Sequence, residues 1–210
     1  MTTYAKGDLS DTALLLRDLI RNACVNDGSP DSAQEARNAQ RIADYLTGSG
    51  AEVDFTEPHP GRVSAVFRVR GTDPAAPPLS LIGHTDVVPA DAANWSVDPF
   101  AAELVDGVIY GRGAVDMLNL TSAMAVVTRQ VATSGRRLRG DLVFAAVADE
   151  ESGSRFGMGW ITEHRPDLVP LQYALTESGG VHVGADGPAP AVILTVGEKG
   201  GARRQLVARG

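Results

Sequence analysis

Apolar residues recur at helical spacing in four stretches of the chain. In the first stretch, Leu15, Leu19 and Ile20 fall on one broad side of a helix. In the second stretch, Asp31 or Ser32 is suited to cap the helix. The pattern predicts helices over residues 11–23, 31–46, 118–133 and 158–164.

Short apolar runs alternate with these helices. They predict strands over residues 51–56, 63–69, 79–83, 108–110, 141–148 and 173–175. The run at 141–148 is almost continuously apolar, which is typical of a central strand in a mostly parallel sheet. Because strands and helices alternate, the sequence predicts an α/β fold with a mostly parallel sheet flanked by helices.

The character of the chain changes towards its C-terminal end. Residues 191–196 and 205–208 have the pattern of strands, and the proline-rich stretch 187–190 precedes them. We therefore expect a first domain over residues 1–187 and the beginning of a second domain over residues 188–210.

Side chains that can bind metal follow several predicted strands, at or just beyond the point where each strand ends. They are His84, Asp116, the adjacent pair Glu150 and Glu151, and Glu177. In open α/β sheets, ligands bind beyond the carboxyl ends of the strands. We therefore expect these side chains to meet at one rim of the sheet.

The charges of these groups favour a pair of divalent cations. Asp116, Glu151 and Glu177 would repel one another at close range, and some would stay protonated without a cation. Two divalent ions balance three carboxylates and one hydroxide. Imidazole and carboxylate ligands together favour zinc, with cobalt and manganese as alternatives.

Two further acids are suited to assist such a site. Asp86 lies two residues after His84, so both side chains point to the same side of an extended strand end. Asp86 can then accept a hydrogen bond from the imidazole nitrogen that faces away from the metal. In the pair Glu150 and Glu151, one acid can bind metal while the other takes a proton from water.

The same residues also have ordinary structural interpretations. Asp116 is suited to cap a helix, Glu150 and Glu151 resemble acids at a helix N-terminus, and Glu177 fits a loop.

Two other types of functional site, a phosphate-binding loop and a serine nucleophile, find less support in the sequence. The glycine-rich segments lack the spacing of a phosphate-binding loop, and Ser178 lacks the spacing of a hydrolase nucleophile elbow.

Charge, cysteine content and hydropathy argue against nucleic-acid-binding, disulfide-bonded and membrane proteins. The net charge of −7 argues against a nucleic-acid partner, because phosphate binding needs a basic face. The single cysteine, Cys24, excludes an intrachain disulfide, and its apolar surroundings predict a small buried side chain. The chain opens without a signal peptide and has no apolar run long enough to span a membrane, so we expect a cytoplasmic protein.

Four motifs together resemble a known family. They are GHTDVVP at residues 83–89, DPF at 98–100, GRGAVDM at 111–117 and DEESG at 149–153. In this order and spacing they resemble the dinuclear zinc acylase and carboxypeptidase family. Its members include acetylornithine deacetylase, succinyl-diaminopimelate desuccinylase, aminoacylase and glutamate carboxypeptidase. The resemblance implies a zinc-exopeptidase-like catalytic domain, then the first strands of a lid and dimerisation domain, and a homodimer in the full-length form.

The resemblance also implies a role for each candidate residue. The implied metal ligands are His84 and Glu177 for one ion, Glu151 for the other, and Asp116 as a bridge. Glu150 would be the general base, Asp86 would support His84, and the Asp116–Met117 bond would be a cis peptide. The implied enzyme is a metal-dependent hydrolase that cleaves an amide bond next to a carboxylate. Its substrate would be a small N-acyl amino acid or a peptide.

Length is the main departure from the family, whose members are roughly twice the size of this chain. Their lid and C-terminal half supply another metal histidine and the groups that hold the substrate. No histidine here matches those positions, so we expect the 210-residue chain alone to be weakly active or inactive. One alternative is a non-catalytic metal-binding module derived from such an enzyme. Another is an unrelated α/β domain whose acids are caps and surface charges.

Overall fold

A computed structural model describes residues 9–177, 181–184, 187 and 191–193. Its helices are α1 (Asp11–Arg21), α2 (Ala36–Leu46), α3 (Leu118–Thr133) and α4 (Met158–His164). Its strands are β1 (Glu52–Thr56), β2 (Ser64–Val69), β3 (Leu79–His84), β4 (Glu103–Val105), β5 (Val108–Tyr110), β6 (Leu142–Val147), β7 (Tyr173–Leu175), β8 (Val181–Val183) and β9 (Ala191–Ile193). The four predicted helices and the six strands predicted before residue 180 are all present.

A five-stranded sheet with the order β1-β2-β6-β3-β7 forms the centre of the first part of the chain. Strand β6 pairs in parallel with β3, and β3 pairs in parallel with β7. Strand β2 is antiparallel to both β1 and β6. Four of the five strands therefore run in one direction, which confirms the mostly parallel α/β sheet.

Alternate side chains of β6 serve two different cores, because successive residues of a strand point to opposite faces of the sheet. Phe144 and Ala146 pack in the core beneath α1, α2 and α3. Val143 and Val147 pack on the other face with Ile161 of α4. Every residue of β6 is buried, which explains the continuous apolar run.

Helix α2 begins five residues later than the first position predicted for it. Ala33 and Gln34 have φ angles of 64° and 56°, so the backbone there is left-handed and cannot continue a helix. The hydroxyl of Ser32 donates instead to the carbonyl of Ser29, at 2.8 Å. The carboxylate of Glu35, at the helix start, is fully buried against other elements.

A hairpin of β4 and β5 stands beside the main sheet. Asp106 and Gly107 both have positive φ angles, 50° and 82°, as a two-residue type I′ turn requires. The apolar pattern predicts β5 but not β4. The Asp-Gly pair before an apolar run is a hairpin signal that was available in the sequence.

Close packing of α3 on β3 fixes the end of β3. A Cβ on Gly83 would lie 2.6 Å from Oγ1 of Thr121 in α3, so only glycine permits this approach. Because α3 lies so near, the Thr121 hydroxyl donates to the carbonyl of His84 at 2.8 Å. The last residue of β3 is therefore held by a helix as well as by the sheet.

The chain divides into two compact units, Met1–Glu177 and Ser178–Gly210. In the second unit, β8 and β9 form an antiparallel pair. The predicted strand at 191–196 is seen as β9, and the one at 205–208 lies outside the described residues. The domain boundary after residue 187 stays a prediction. Among the described helices, none has the length and hydropathy needed to cross a bilayer.

Candidate metal centre

His84 forms the buried floor of the candidate site, with 1% of its surface exposed. Its Nδ1 atom lies 2.9 Å from the backbone oxygen of Asp86. A carbonyl oxygen only accepts hydrogen bonds, so Nδ1 carries the proton and donates it. On the opposite side of the ring, Nε2 faces Oδ1 of Asp116 at 3.1 Å, and it can bind a cation when it carries no proton.

Three carboxylates surround Nε2 of His84. The nearest oxygens are Oδ1 of Asp116 at 3.1 Å, Oε2 of Glu177 at 3.4 Å and Oε2 of Glu150 at 3.7 Å. One ligand atom from each of His84, Asp116 and Glu177 lies within 4.8 Å of the others. One nitrogen with carboxylate oxygens at this spacing is a donor set that fits zinc and similar divalent ions.

The side chains form a layered site that opens to solvent. The His84 side chain is 1% exposed, Glu177 31%, Glu150 43% and Asp116 68%. The imidazole therefore lies at the bottom and the carboxylates around the opening. The three carboxylates are therefore accessible to solvent, whereas the imidazole is not.

The charges of the cluster favour the binding of a cation. Burial lowers the pKa of His84, but its hydrogen bond to Asp86 and the charges of Asp86 and Glu150 outweigh burial and raise the pKa to about 10. Burial and the charges of Glu150 and Asp116 raise the pKa of Glu177, although His84 opposes them. A cation at Nε2 would take the place of the proton that these acids stabilise on His84 and would relieve the repulsion that helps to raise the pKa of Glu177.

Glu151 approaches the cluster differently from the other candidates. Among the described residues, the group whose ligand atoms lie close together contains His84, Asp116 and Glu177 but not Glu151. Burial raises the pKa of Glu151 to about 7, with Asp116 and Glu150 adding to the rise and His84 opposing it. Glu151 is thus within electrostatic reach of the cluster and stands beside it.

Asp86 is fully buried and connects His84 to the turn that carries Glu150 and Glu151. Its Oδ1 atom lies 3.5 Å from Nδ1 of His84 and accepts from the backbone N–H of Glu150 at 3.2 Å. Its Oδ2 atom accepts from the N–H of Glu151 at 3.1 Å. The predicted contact with His84 is made mainly by the backbone oxygen, and the carboxylate mainly holds the turn.

Asn26 completes the surroundings of Asp86, and the sequence analysis did not identify it. Its Nδ2 atom donates to Oδ2 of Asp86 at 2.7 Å and to Oδ1 of Asp149 at 3.1 Å. Burial raises the pKa of Asp86, but hydrogen bonds from His84 and Asn26 hold it below its usual range. The sequence around Asn26 signals only a turn after α1, so nothing in it distinguished this asparagine.

The structure does not support the helix-cap interpretation of Asp116 or the helix-terminus interpretation of Glu150 and Glu151, whereas Glu177 does lie in a loop after β7. Helix α3 is preceded by Met117, without a side-chain cap, so Asp116 does not cap it. The helix after Glu150 and Glu151 begins only at Met158, so they are not in its first turn. The Asp116–Met117 peptide is cis, as the resemblance implied.

Comparison with known proteins identifies a matching family. Residues 80–206 match the model of peptidase family M20/M25/M40, and this stretch contains every candidate metal ligand. The chain belongs to peptidase family M20/M25/M40. This confirms the resemblance to the zinc acylase and carboxypeptidase family that the motifs indicated.

Two relatives in the M20 family are succinyl-diaminopimelate desuccinylases. The one from Bradyrhizobium diazoefficiens is 34% identical over 152 residues, covering 70% of this chain and 38% of the relative. The one from Rhodopseudomonas palustris is 38% identical over 146 residues, covering 67% and 36%. The chain thus spans little more than a third of the length of these relatives.

Solved structures of M20 enzymes share the fold. The M20 family metallo-carboxypeptidase Sso-CP2 from Sulfolobus solfataricus superposes with a TM-score of 0.65 at 17% identity, covering 82% of this chain and 38% of that chain. Human carnosine dipeptidase 1 superposes with a TM-score of 0.61 at 22% identity, covering 79% and 37%. At these identities the likeness concerns the fold alone.

The geometry around Asp86 predicts that Asp86→Asn loosens the turn at Glu150 and Glu151. An amide in this place offers one acceptor where two backbone N–H groups need two, and it unbalances a buried charge. We expect a loss of about 3–5 kcal/mol in the free energy of unfolding. In hydrogen exchange by NMR, the amides of Glu150 and Glu151 should lose protection.

Asp141→Asn is the matched control. Asp141 also accepts a backbone N–H, that of Gly71 at 2.8 Å, and pairs with Arg68 at 3.0 Å. It lies at the opposite end of β6 and is more exposed, so a loss of about 1 kcal/mol is expected. The role given to Asp86 would be contradicted if both variants lost the same free energy of unfolding and Asp86→Asn kept the amide protection of the parent chain.

Proposed function

We propose that this chain carries the metal-binding part of a hydrolase that cleaves an amide bond next to a carboxylate. The observation that carries the proposal is the buried imidazole nitrogen of His84 facing the carboxylates of Asp116, Glu177 and Glu150. The names of the relatives and neighbours, a desuccinylase, a dipeptidase and a metallo-carboxypeptidase, support amide cleavage as the class of reaction.

Four residues would hold two divalent cations, with zinc favoured and cobalt or manganese as alternatives. His84 and Glu177 would bind one ion, Glu151 the other, and Asp116 would bridge them. When bound, such ions polarise a carbonyl and lower the pKa of water. The contact of His84 with Asp86 fixes the imidazole so that Nε2 faces the ion.

Glu150 would act as the general base. Its Oε2 atom lies 3.7 Å from Nε2 of His84, and its half-exposed side chain can meet a water that arrives from solvent. The carboxylate would accept a proton from that water and pass it to the departing amine nitrogen. The N-acyl amino acid or peptide would approach through the open side of the cluster. A homodimer of the full-length form is part of the same proposal.

The first test is zinc binding, which does not depend on turnover. Removing a direct ligand should cost more than the loss of about 10- to 100-fold that is typical of residues around a site. We therefore expect zinc affinity, measured by competition with a chromophoric chelator, to fall by more than about 100-fold in His84→Ala. His59→Ala is the matched control, since His59 pairs with Asp31 outside the cluster, at 3.0 Å. Equal zinc affinity in both variants would overturn the proposed site.

The second test separates catalysis from metal binding. Glu150→Gln removes the proton acceptor but keeps the size of the side chain. We expect it to lower turnover of N-succinyl and N-acetyl amino acids and of dipeptides by about 100- to 10,000-fold. Zinc affinity should stay close to that of the parent chain, because Glu150 is not assigned as a ligand.

The control for this test is Glu163→Gln, on the exposed side of α4. Single-turnover conditions with protein in excess make weak activity measurable. Zinc binding without any turnover by the parent chain would favour the non-catalytic metal-binding module. Full turnover by Glu150→Gln would exclude Glu150 as the base.

A further inference from the structure

The turn after β6 is held by three consecutive backbone amides that donate to buried carboxylates. The N–H of Asp149 donates to Oε1 of Glu35 at 3.0 Å. The N–H groups of Glu150 and Glu151 donate to the two oxygens of Asp86. Asp149 has a φ angle of 63°, and a left-handed residue in such a run lets successive N–H groups converge on anions. The site residues Glu150 and Glu151 thus sit on a backbone nest whose anions come from other parts of the chain.

Arg62 lies behind this nest with 1% of its surface exposed. Its Nη2 atom donates to Oδ1 of Asp149 at 2.8 Å and to Oε1 of Glu35 at 2.9 Å. Its Nε atom lies 2.8 Å from Oε2 of Glu35, so the planar guanidinium faces both oxygens of that carboxylate. One side chain therefore links the first residue of the nest to the acid that holds it.

The charges explain why an arginine is needed at this place. Glu35, Asp86 and Asp149 are all buried, and a buried carboxylate is costly unless it is paired. Burial raises the pKa of Glu35 to about 7, even though hydrogen bonds and the charge of Arg62 lower it. Without Arg62, Glu35 and Asp149 would face each other across the turn with no cation between them. We expect the turn that carries Glu150 and Glu151 to shift in response.

We propose that Arg62 is a positioning residue, which sets the place of Glu150 and Glu151 through Glu35 and Asp149. This inference rests on the proposed function, because Glu151 is there a metal ligand and Glu150 the general base. Arg62 touches neither of them, and its effect passes through the nest. The fork geometry matters as much as the charge, since a lysine presents no planar pair of donors to Glu35 and Asp149.

Arg68 provides a matched comparison, because it lies six residues after Arg62 and also pairs with a carboxylate next to β6. Arg68 of β2 also pairs with a carboxylate, Asp141, at 3.0 Å. Asp141 lies before β6 and Asp149 lies after it, so the two arginines hold opposite ends of one strand. Only the Arg62 end continues into residues of the proposed site, so the two arginines differ in function if the inference is right.

The test compares Arg62→Met, Arg62→Lys and Arg68→Met at pH 8, above the raised pKa of about 7 of Glu35. Two readouts are taken: hydrogen exchange of the amides of residues 149–151 in metal-free protein, and zinc affinity. For Arg62→Met we expect the exchange rate to increase more at these amides than at the amides of β6. We also expect zinc affinity to fall by about 10- to 100-fold. Arg62→Lys should show a smaller increase in the exchange rate and a smaller loss of zinc affinity. Arg68→Met should keep zinc affinity within about threefold of the parent chain.

A merely structural role would give a different result. It would lower the melting temperature and speed exchange throughout β6, with zinc affinity unchanged in molecules that remain folded. If Arg62→Met does not fold, Arg62→Lys decides, together with Asn26→Ala, which removes the amide between Asp86 and Asp149. Wild-type exchange at residues 149–151 and wild-type zinc affinity in these two variants would overturn the inference.

Failure of the proposed function would look different from failure of this inference. If the parent chain binds no zinc, the proposed function fails, while the exchange measurement still reports whether Arg62 holds the nest. If the parent chain binds zinc and the Arg62 variants bind it equally well, the inference fails and the proposed function stands.

Discussion

The site depends on one interaction, the buried imidazole of His84 facing carboxylates from three other segments of the chain. Its Nδ1 atom is fixed by the backbone of Asp86, so Nε2 points towards Asp116, Glu150 and Glu177. Acids this close together repel one another, and burial together with that repulsion raises the pKa of Glu177 and of the neighbouring Glu151. The cluster is therefore unfavourable without positive charge. A divalent cation is the group that would stabilise it without altering the fold.

The fold supplies this arrangement in two layers. The buried layer consists of Asn26, Glu35, Arg62, Asp86 and Asp149, which contact one another through hydrogen bonds and ion pairs. The more exposed layer consists of the acids that would meet cations and substrate. The buried layer costs stability to assemble, since each charge leaves water, but it gives the exposed acids defined positions. Because of this division, the exposed acids Glu150 and Glu151 repel other carboxylates but lie on a turn that buried hydrogen bonds fix in place.

Much of this could be predicted from the sequence, because the signals were local. The apolar run of β6 predicted a buried central strand, and the rule that ligands meet at the carboxyl ends of strands brought His84 and Glu177 together. Asp116 follows the separate β4–β5 hairpin, so this rule does not explain its place in the cluster. The buried layer could not be predicted, since Arg62 and Glu35 lie 27 residues apart and meet only through tertiary packing. The start of α2 was misplaced for the same reason. The left-handed residues before it serve the buried contacts of Glu35, and no local pattern shows them.

The most direct test of the central claim is a crystal structure of the chain grown with zinc, with anomalous data collected at the zinc absorption edge. We predict an anomalous peak about 2.0–2.2 Å from Nε2 of His84 and from carboxylate oxygens of Asp116 and Glu177. A map in which Nε2 of His84 is hydrogen-bonded directly to Asp116, with zinc bound elsewhere or not at all, would contradict it.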